Sequence, residues 1–399
     1  MIYIVMKRVY TFFLLLFLSI MACGMSAART DSTMVRLAYD VDFDLNFDNR
    51  EFARNDFSPS MTIFGARVTP SVGVRVDQPK GLSHIVMLGV DVMKDFGASP
   101  VSTDIAGGES PETQPSLMHK NLFGEIVLYY QLHKNFGKTD FSIDAGIFPR
   151  KEMEAYYSQA FFSDSLKFYD NNLEGVLLKL RRPKAYFELG CDWMGQIGTH
   201  RREKFMVFSG GEGKILPFMG IGYSAYMYHF ANSGTVRGVV DNILINPYLK
   251  FDFSEMTGLQ RFSLRAGWIQ SMQNDRLNIG HYIMSGGAEA ELDIRQWNIG
   301  FKNVFYYGGT VMSLYNLEDA GGIKYGNRLY FGDPFYLIND DNTMGIGLYD
   351  RAEVYYEPYI SDFMKIRVSA AFHFNHVKYA GCQQMARFIF DLQKLVDRK

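Results

Sequence analysis

Three carboxylates stand at alternate positions, Asp40, Asp42 and Asp44, inside the string VRLAYDVDFDLNF. Oxygen ligands at that density can hold a hard cation such as calcium. They can equally form one side of a charge ladder that basic groups on neighbouring strands neutralise. Arg67 and Arg75 in the following segment, and Arg387 towards the end of the chain, are the partners such a ladder would use. A second acidic row, Glu289, Glu291 and Asp293, has Arg261 and Arg265 in the segment before it. The ladder is the expected reading of both rows, with no bound metal and no cofactor. His133, His281 and the pair His373 and His376 fall in separate segments, which argues against a histidine metal site.

Hydrolytic chemistry would need a nucleophile, a base and an orienting group held together. The string YHFANSG supplies His229, Asn232 and Ser233, and it is faintly similar to the histidine-and-serine region of outer-membrane phospholipases. The order and spacing differ from that family's motif, and no GxSxG, HExxH or P-loop string occurs. The chain is therefore expected not to be an enzyme, with no catalytic residue assigned. Segment 149–172, PRKEMEAYYSQAFFSDSLKFYDNN, is a candidate of another kind. Its aromatics (Tyr156, Tyr157, Phe161, Phe162, Phe168 and Tyr169) could fold inward as a constriction, stack on sugar rings, or pack the loop against a rim. Segment 309–345 carries Glu318, Asp319, Asp333, Asp340 and Asp341 and reads as either an inward lid or a surface epitope.

Residues spaced by two are positioned by strands, whose side chains alternate between faces. Every odd residue from Val35 to Phe47 is large and apolar, while the even ones carry the charge. Residues 66–76 repeat the pattern with Ala66, Val68, Pro70, Val72, Val74 and Val76 on one face. Such segments recur to a total of sixteen candidates. Short turns, among them QPKG at 78–81, RRPK at 181–184 and GGEGK at 210–214, mostly alternate with longer connections such as 97–120, 149–172, 309–345 and 377–381. Many strands run long enough to cross a bilayer when tilted, longer than soluble sandwiches use.

The predicted fold is all-β: a transmembrane up-and-down antiparallel β-barrel of about sixteen strands (14–18), with short periplasmic turns and long extracellular loops. Hydrocarbon offers no hydrogen-bond partner, so the strands must close on themselves. A ring that wide is expected to enclose water. With the apolar face on lipid, the lumen receives charges of both signs, and neither dominates, which argues against strong ion selectivity. The pore-lining or constriction candidates are Arg36, Asp40, Asp42, Asp44, Arg67, Arg75, Arg265, Glu289 and Glu291, with Tyr156, Tyr157 and Lys167 from the loop.

Lys7 and Arg8 precede an apolar stretch and the small residues CGMSAA, so residues 1–28 read as a signal peptide and 29–399 as a single barrel domain. Lipid attachment at Cys23 is the rival reading. Cys191 and Cys382 are expected to be wall residues. A net charge of −2 without a basic run gives no reason to expect nucleic acid. With so short a stretch before the first strand, no plug domain is expected.

On this pattern the chain resembles the general outer-membrane porins of Gram-negative bacteria. More narrowly, GIFPRK (146–151), FFSDSLKFYDNN (161–172) and YMYHFANS (226–233) are similar to barrel proteins of the Bacteroides group, with no biochemical role to carry over. Many porins end on an aromatic strand residue, whereas Phe388 and Phe390 here precede LQKLVDRK. The resemblance implies a multi-pass protein of the bacterial outer membrane, in contact with outer-membrane lipid, that lets small polar solutes diffuse past an infolded loop. A homotrimer fits too, because an apolar subunit face looks like a lipid-facing one. The alternatives are a non-conducting barrel that binds a glycan or surface partner through its loops, and, further off, an outer-membrane lipid hydrolase.

Overall fold

The computed structural model describes residues 33–53, 60–97, 123–338, 345–376 and 378–392. The expected signal peptide, Cys23, most of the 97–120 connection, Asp340, Asp341 and the chain beyond Leu392 lie outside the described residues. The strands of the first half are β1 (Met34–Phe52), β2 (Met61–Gln78), β3 (Leu82–Asp95), β4 (Phe123–Asn135), β5 (Asp140–Pro149), β6 (Asn172–Arg182), β7 (Ala185–Gly195), β8 (Lys204–Leu216) and β9 (Met219–Phe230). The second half contributes β10 (Val240–Asp252), β11 (Arg261–Asp275), β12 (Ile283–Gln296), β13 (Ile299–Gly308), β14 (Gly347–Tyr356), β15 (Tyr359–Ser361), β16 (Met364–Asn375) and β17 (Lys378–Asp391).

Each strand pairs antiparallel with its sequence neighbour, and β17 returns to β1, with Phe43 opposite Phe390 and Phe47 opposite Ala386. The stub β15 continues the line of β14 beyond Glu357 and Pro358 and pairs with β16, so the two fill one position. The result is a closed sixteen-strand antiparallel barrel. Closure leaves no unpaired edge in the spanning wall, the condition for a sheet in hydrocarbon. The outward residues are those the alternation assigned, with Leu37, Val74, Ile126, Leu189, Trp268 and Val368 exposed on the wall. A groove of about 700 Å³ between Phe187, Ile221, Leu249 and Trp268 belongs to the same apolar surface. Cys191 and Cys382 are unpaired thiols at half-buried wall positions. The chain is thus a multi-pass protein of the bacterial outer membrane.

Two connections differ from expectation. The string GGEGK is no turn but part of β8, whose turn comes at 217–218. Its glycines are there for proximity: a Cβ on Gly210 would lie 2.5 Å from the Cβ of Ala155, in the loop after β5. The last outer connection is also short, since β17 begins at Lys378.

The lumen departs further from the expected water-filled tube. The connection 150–171 and residues 309–338 turn inward, and their side chains join inward residues of β3–β6, β8–β11, β13, β14 and β17 in one apolar core. Phe161 packs on Tyr226 with ring centroids 5.4 Å apart, Tyr228 on Phe331 at 4.9 Å, and Tyr306 on Tyr336 at 5.2 Å. The two loops also bond to each other, Ser163 N to Phe331 O at 2.9 Å and Asp333 N to Gln159 O at 2.7 Å. At that crossing a Cβ on Gly332 would sit 2.2 Å from the Ala160 carbonyl. An inward face stays wet only where nothing apolar covers it, and here the loops cover part of it.

Candidate functional site

Polar wall residues hold the first inward loop in place. Glu188 on β7 accepts the amides of Glu154 and Ala155, at 2.7 and 3.0 Å, and the Tyr157 hydroxyl at 2.9 Å. Glu289 on β12 joins both loops to the wall: it accepts the hydroxyls of Ser158 and Tyr336, each at 2.5 Å, and the Asn246 amide at 3.1 Å. Arg265 lies against the Tyr156 ring, 3.4 Å from its centroid, and donates to Glu291 at 2.9 Å. The short helix α1 (Asp164–Tyr169) is capped by Ser163, whose hydroxyl accepts the Leu166 amide at 3.1 Å. In the second loop Asp319 accepts from Arg202 at 2.5 Å and from Arg328 at 3.0 Å. Burial alone would raise the Asp319 carboxyl, but the Ile323 amide, the Arg328 guanidinium and the Gly321 amide outweigh it and hold it below its ordinary value.

Away from this core, charged inward residues of β11–β17 and β1 border two polar cavities. The larger, about 630 Å³, lies between α1 and residues that include Asp48, Arg50, Lys302, Arg351, Arg367 and Arg387. The smaller, about 450 Å³, reaches Asp362 and Phe363 at the short-turn rim. Both are bordered by Lys151, Asn171 and Arg387, so the two stack along β1 and β17.

The acidic row on β1 is neutralised from an unexpected direction. Arg387 pairs with Asp44 as the ladder requires. Arg67 instead pairs with Asp91 and donates to the Tyr169 carbonyl at 2.7 Å. The partner of Asp40 and Asp42 is Lys151, whose ammonium reaches them at 2.8 and 2.5 Å and lies 3.8 Å from Asp391. Asp40, Asp42 and Asp391 come close enough together to hold a metal, but the lysine already stands among them.

The second row behaves as the ladder reading expects at two positions, Arg261 with Asp293 and Arg265 with Glu291, both at 2.9 Å. Glu289 is tied instead to the loops. Most of the candidates therefore meet at the inward loop: Asp40, Asp42, Arg67, Arg265, Glu289, Glu291, Tyr156 and Tyr157 all contact it or belong to it. Lys167, on α1, borders the larger cavity. Arg36 and Arg75 do not belong with them. They face each other in register at the periplasmic end of β1 and β2, both over one-third exposed, beside Asp77. The alternation identified them as inward but said nothing of their depth. Sequence reasoning missed Lys151 and the Arg202–Asp319–Arg328 cluster, and the part Glu188 plays in holding the loop. No local signal pointed to Lys151, because Arg67, Arg75 and Arg387 supplied the sequence with as many bases as the row has acids.

His229 and Ser233 are not joined. His229 faces outward on β9, 3.4 Å from Asp241, while the Ser233 hydroxyl accepts the Val236 amide at 3.0 Å. A different polar cluster lies on the outer wall near the long-loop rim. Thr62 donates to Asn49 at 2.7 Å, Asn49 donates to Gln384 at 2.5 Å and to Glu51 at 3.1 Å, and Cys382 Sγ lies 3.9 Å from Glu51.

Residues 31–221 match the model of a family described as Lipid A 3'-O-deacylase-type. That match contradicts the expectation that the chain is not an enzyme, because the family it is similar to is one of enzymes. No curated protein matches the sequence. Among solved structures, the chain is similar to OpdL of Pseudomonas aeruginosa at 10% identity, over 89% of this chain and 98% of that one, with a TM-score of 0.48. The outer-membrane protein OmpT of Vibrio cholerae, lacking loop L8, is 9% identical over 90% and 99%, with a TM-score of 0.49. Salmonella typhi OmpF, solved in complex with daunomycin, is 11% identical over 92% and 100%, with a TM-score of 0.46.

Proposed function

We propose that the barrel passes small polar solutes along the charged wall of β11–β17 and β1, by a narrow route beside the inward loop. The observation that carries this reading is the stack of two polar cavities bordered in common by Lys151, Asn171 and Arg387. The loop strings that build the inner side of this route, PRK and SDSLKFYDNN, fall within those that resemble Bacteroides-group barrel proteins. Lys151 with Asp40 and Asp42, and Arg387 with Asp44, would form its narrowest part. Selection would then be steric and electrostatic. Purified protein in a planar bilayer should give small, discrete conductance steps that grow in Lys151→Ala. Folded protein that gives no steps would sink the reading and favour a closed barrel that binds through its loops.

The family match favours a second reading, hydrolysis of an O-acyl ester of lipid A presented by the outer leaflet. The cluster of Asn49, Glu51, Thr62, Cys382 and Gln384 supports it, since polar side chains facing lipid are costly without a partner or a task. Both β1 and β2 lie within the matched residues. Glu51 would act as general base towards water, with the amides of Asn49 and Gln384 as donors to the developing oxyanion. Release of fatty acid from purified lipid A, abolished in Glu51→Gln, is the expected result. Equal release by the variant would remove this cluster from the chemistry.

A further inference from the structure

We propose that the larger lumen cavity takes small anionic solutes, recognised through carboxylate or phosphate oxygens, and that the barrel accordingly prefers anions. This deepens the channel reading and rests on it. Nine arginines and lysines border that cavity against five aspartates and glutamates. The acids also stand behind the bases. Arg387 is 36% exposed and its partner Asp44 is 17%; for Arg261 and Asp293 the values are 45% and 12%, and for Arg367 and Glu353 they are 29% and 5%. Along the wall a solute in the cavity therefore meets guanidinium groups first and carboxylates second, while on the loop side Asp164 is exposed beside Lys167.

Two of the acids are further divided between cations. Glu353 accepts from Arg351 at 2.6 Å and from Arg367 at 2.8 Å. Glu291 accepts from Arg265 and faces Lys302, both at 2.9 Å. From the loop side of the same cavity Lys167 brings an ammonium 3.8 Å from Asp164, so the excess of positive charge comes from the wall. Guanidinium forks match oxyanions in geometry as well as charge, and a cleft with low-dielectric walls concentrates their field. The smaller cavity has five acids and four bases on its border, so the preference arises in the larger one. The balance of charge over the whole lumen hides this local excess.

The test is the reversal potential of the purified barrel in a planar bilayer across a KCl gradient. Expected is a shift towards the chloride equilibrium potential, with chloride preferred several-fold over potassium. Near 1 M salt, where the screening length falls to about 3 Å, that preference should fade while the steps persist. Lys167→Gln and Arg261→Gln should each lower it; Asp293 keeps a hydrogen bond from the Tyr355 hydroxyl in the second variant, so its fold is supported. Inorganic phosphate added to one side should interrupt the chloride current. Steps that reverse at zero or towards potassium would overturn the anion assignment and leave the channel reading standing. Folded protein without steps would overturn the channel reading itself.

Discussion

The two sides of the lumen obey the same strand alternation and end in opposite states. On β4–β9 the inward positions hold Val127, Tyr129, Phe148, Leu177, Phe208 and Tyr226, all buried beneath the inward loops. On β14–β17 and β1 they include Arg351, Glu353, Arg367, Arg387, Asp44 and Asp48, beside polar cavities or their borders, although Tyr306 of β13 and Tyr349 of β14 still belong to the apolar core. Facing inward therefore does not mean facing water. A barrel interior is solvated or dry according to what the connections lay against it, and the loops choose the side whose residues can bury apolar area.

The sharpest way to break this contrast is to loosen the packed side. Phe161→Ala removes a fully buried ring from its contact with Tyr226 and should cost about 3–5 kcal/mol. Residues 150–171 should then become cleavable by protease in folded, detergent-solubilised barrels, with larger conductance steps. An equally resistant loop would show that this core does not hold it. Glu188→Ala should cost less, about 1–3 kcal/mol in all, because the amides of Glu154 and Ala155 are only part-buried and water can reach them. Faster amide exchange at Glu154 and Ala155 is the direct readout, and unchanged exchange would mean that water replaces the carboxylate.

A smaller effect is expected at Asp319, outside the spanning wall. Its folded carboxyl is held below the ordinary value of 3.8, so its contribution is present above that pH and is lost as the pH falls through the lowered value. At neutral pH wild-type residues 309–338 should resist protease several-fold better than those of Asp319→Asn, and the gap should close in strong acid. A gap that survived acid would assign the protection to packing alone. The smallest effect belongs to the exposed pair at the periplasmic rim. Arg36→Gln and Arg75→Gln should each change stability by no more than about 0.5 kcal/mol. Any clear shift in reversal potential from either would bring them back into the ion path.

The strands were legible because a barrel wall imposes period two on every element, and VRLAYDVDFDLNF shows it without help from any neighbour. Arg261 with Asp293 and Arg265 with Glu291 were legible for the same reason: paired strands adjacent in sequence bring those residues together. Lys151 was not, because it comes from a loop and crosses the lumen to β1, more than a hundred residues away in the chain. The glycines of GGEGK were misread as a turn, since nothing local says that Ala155 will pack against one of them.

The amino-acid sequence by itself determined the number, direction and lipid-facing side of the strands, and with them the membrane the chain occupies. These follow from a local alternation repeated along the chain. Which part of the interior is dry, which acid meets which base and where positive charge gathers were decided only by the tertiary structure. Those outcomes depend on where two long loops fold, and their contacts join residues that no local period relates.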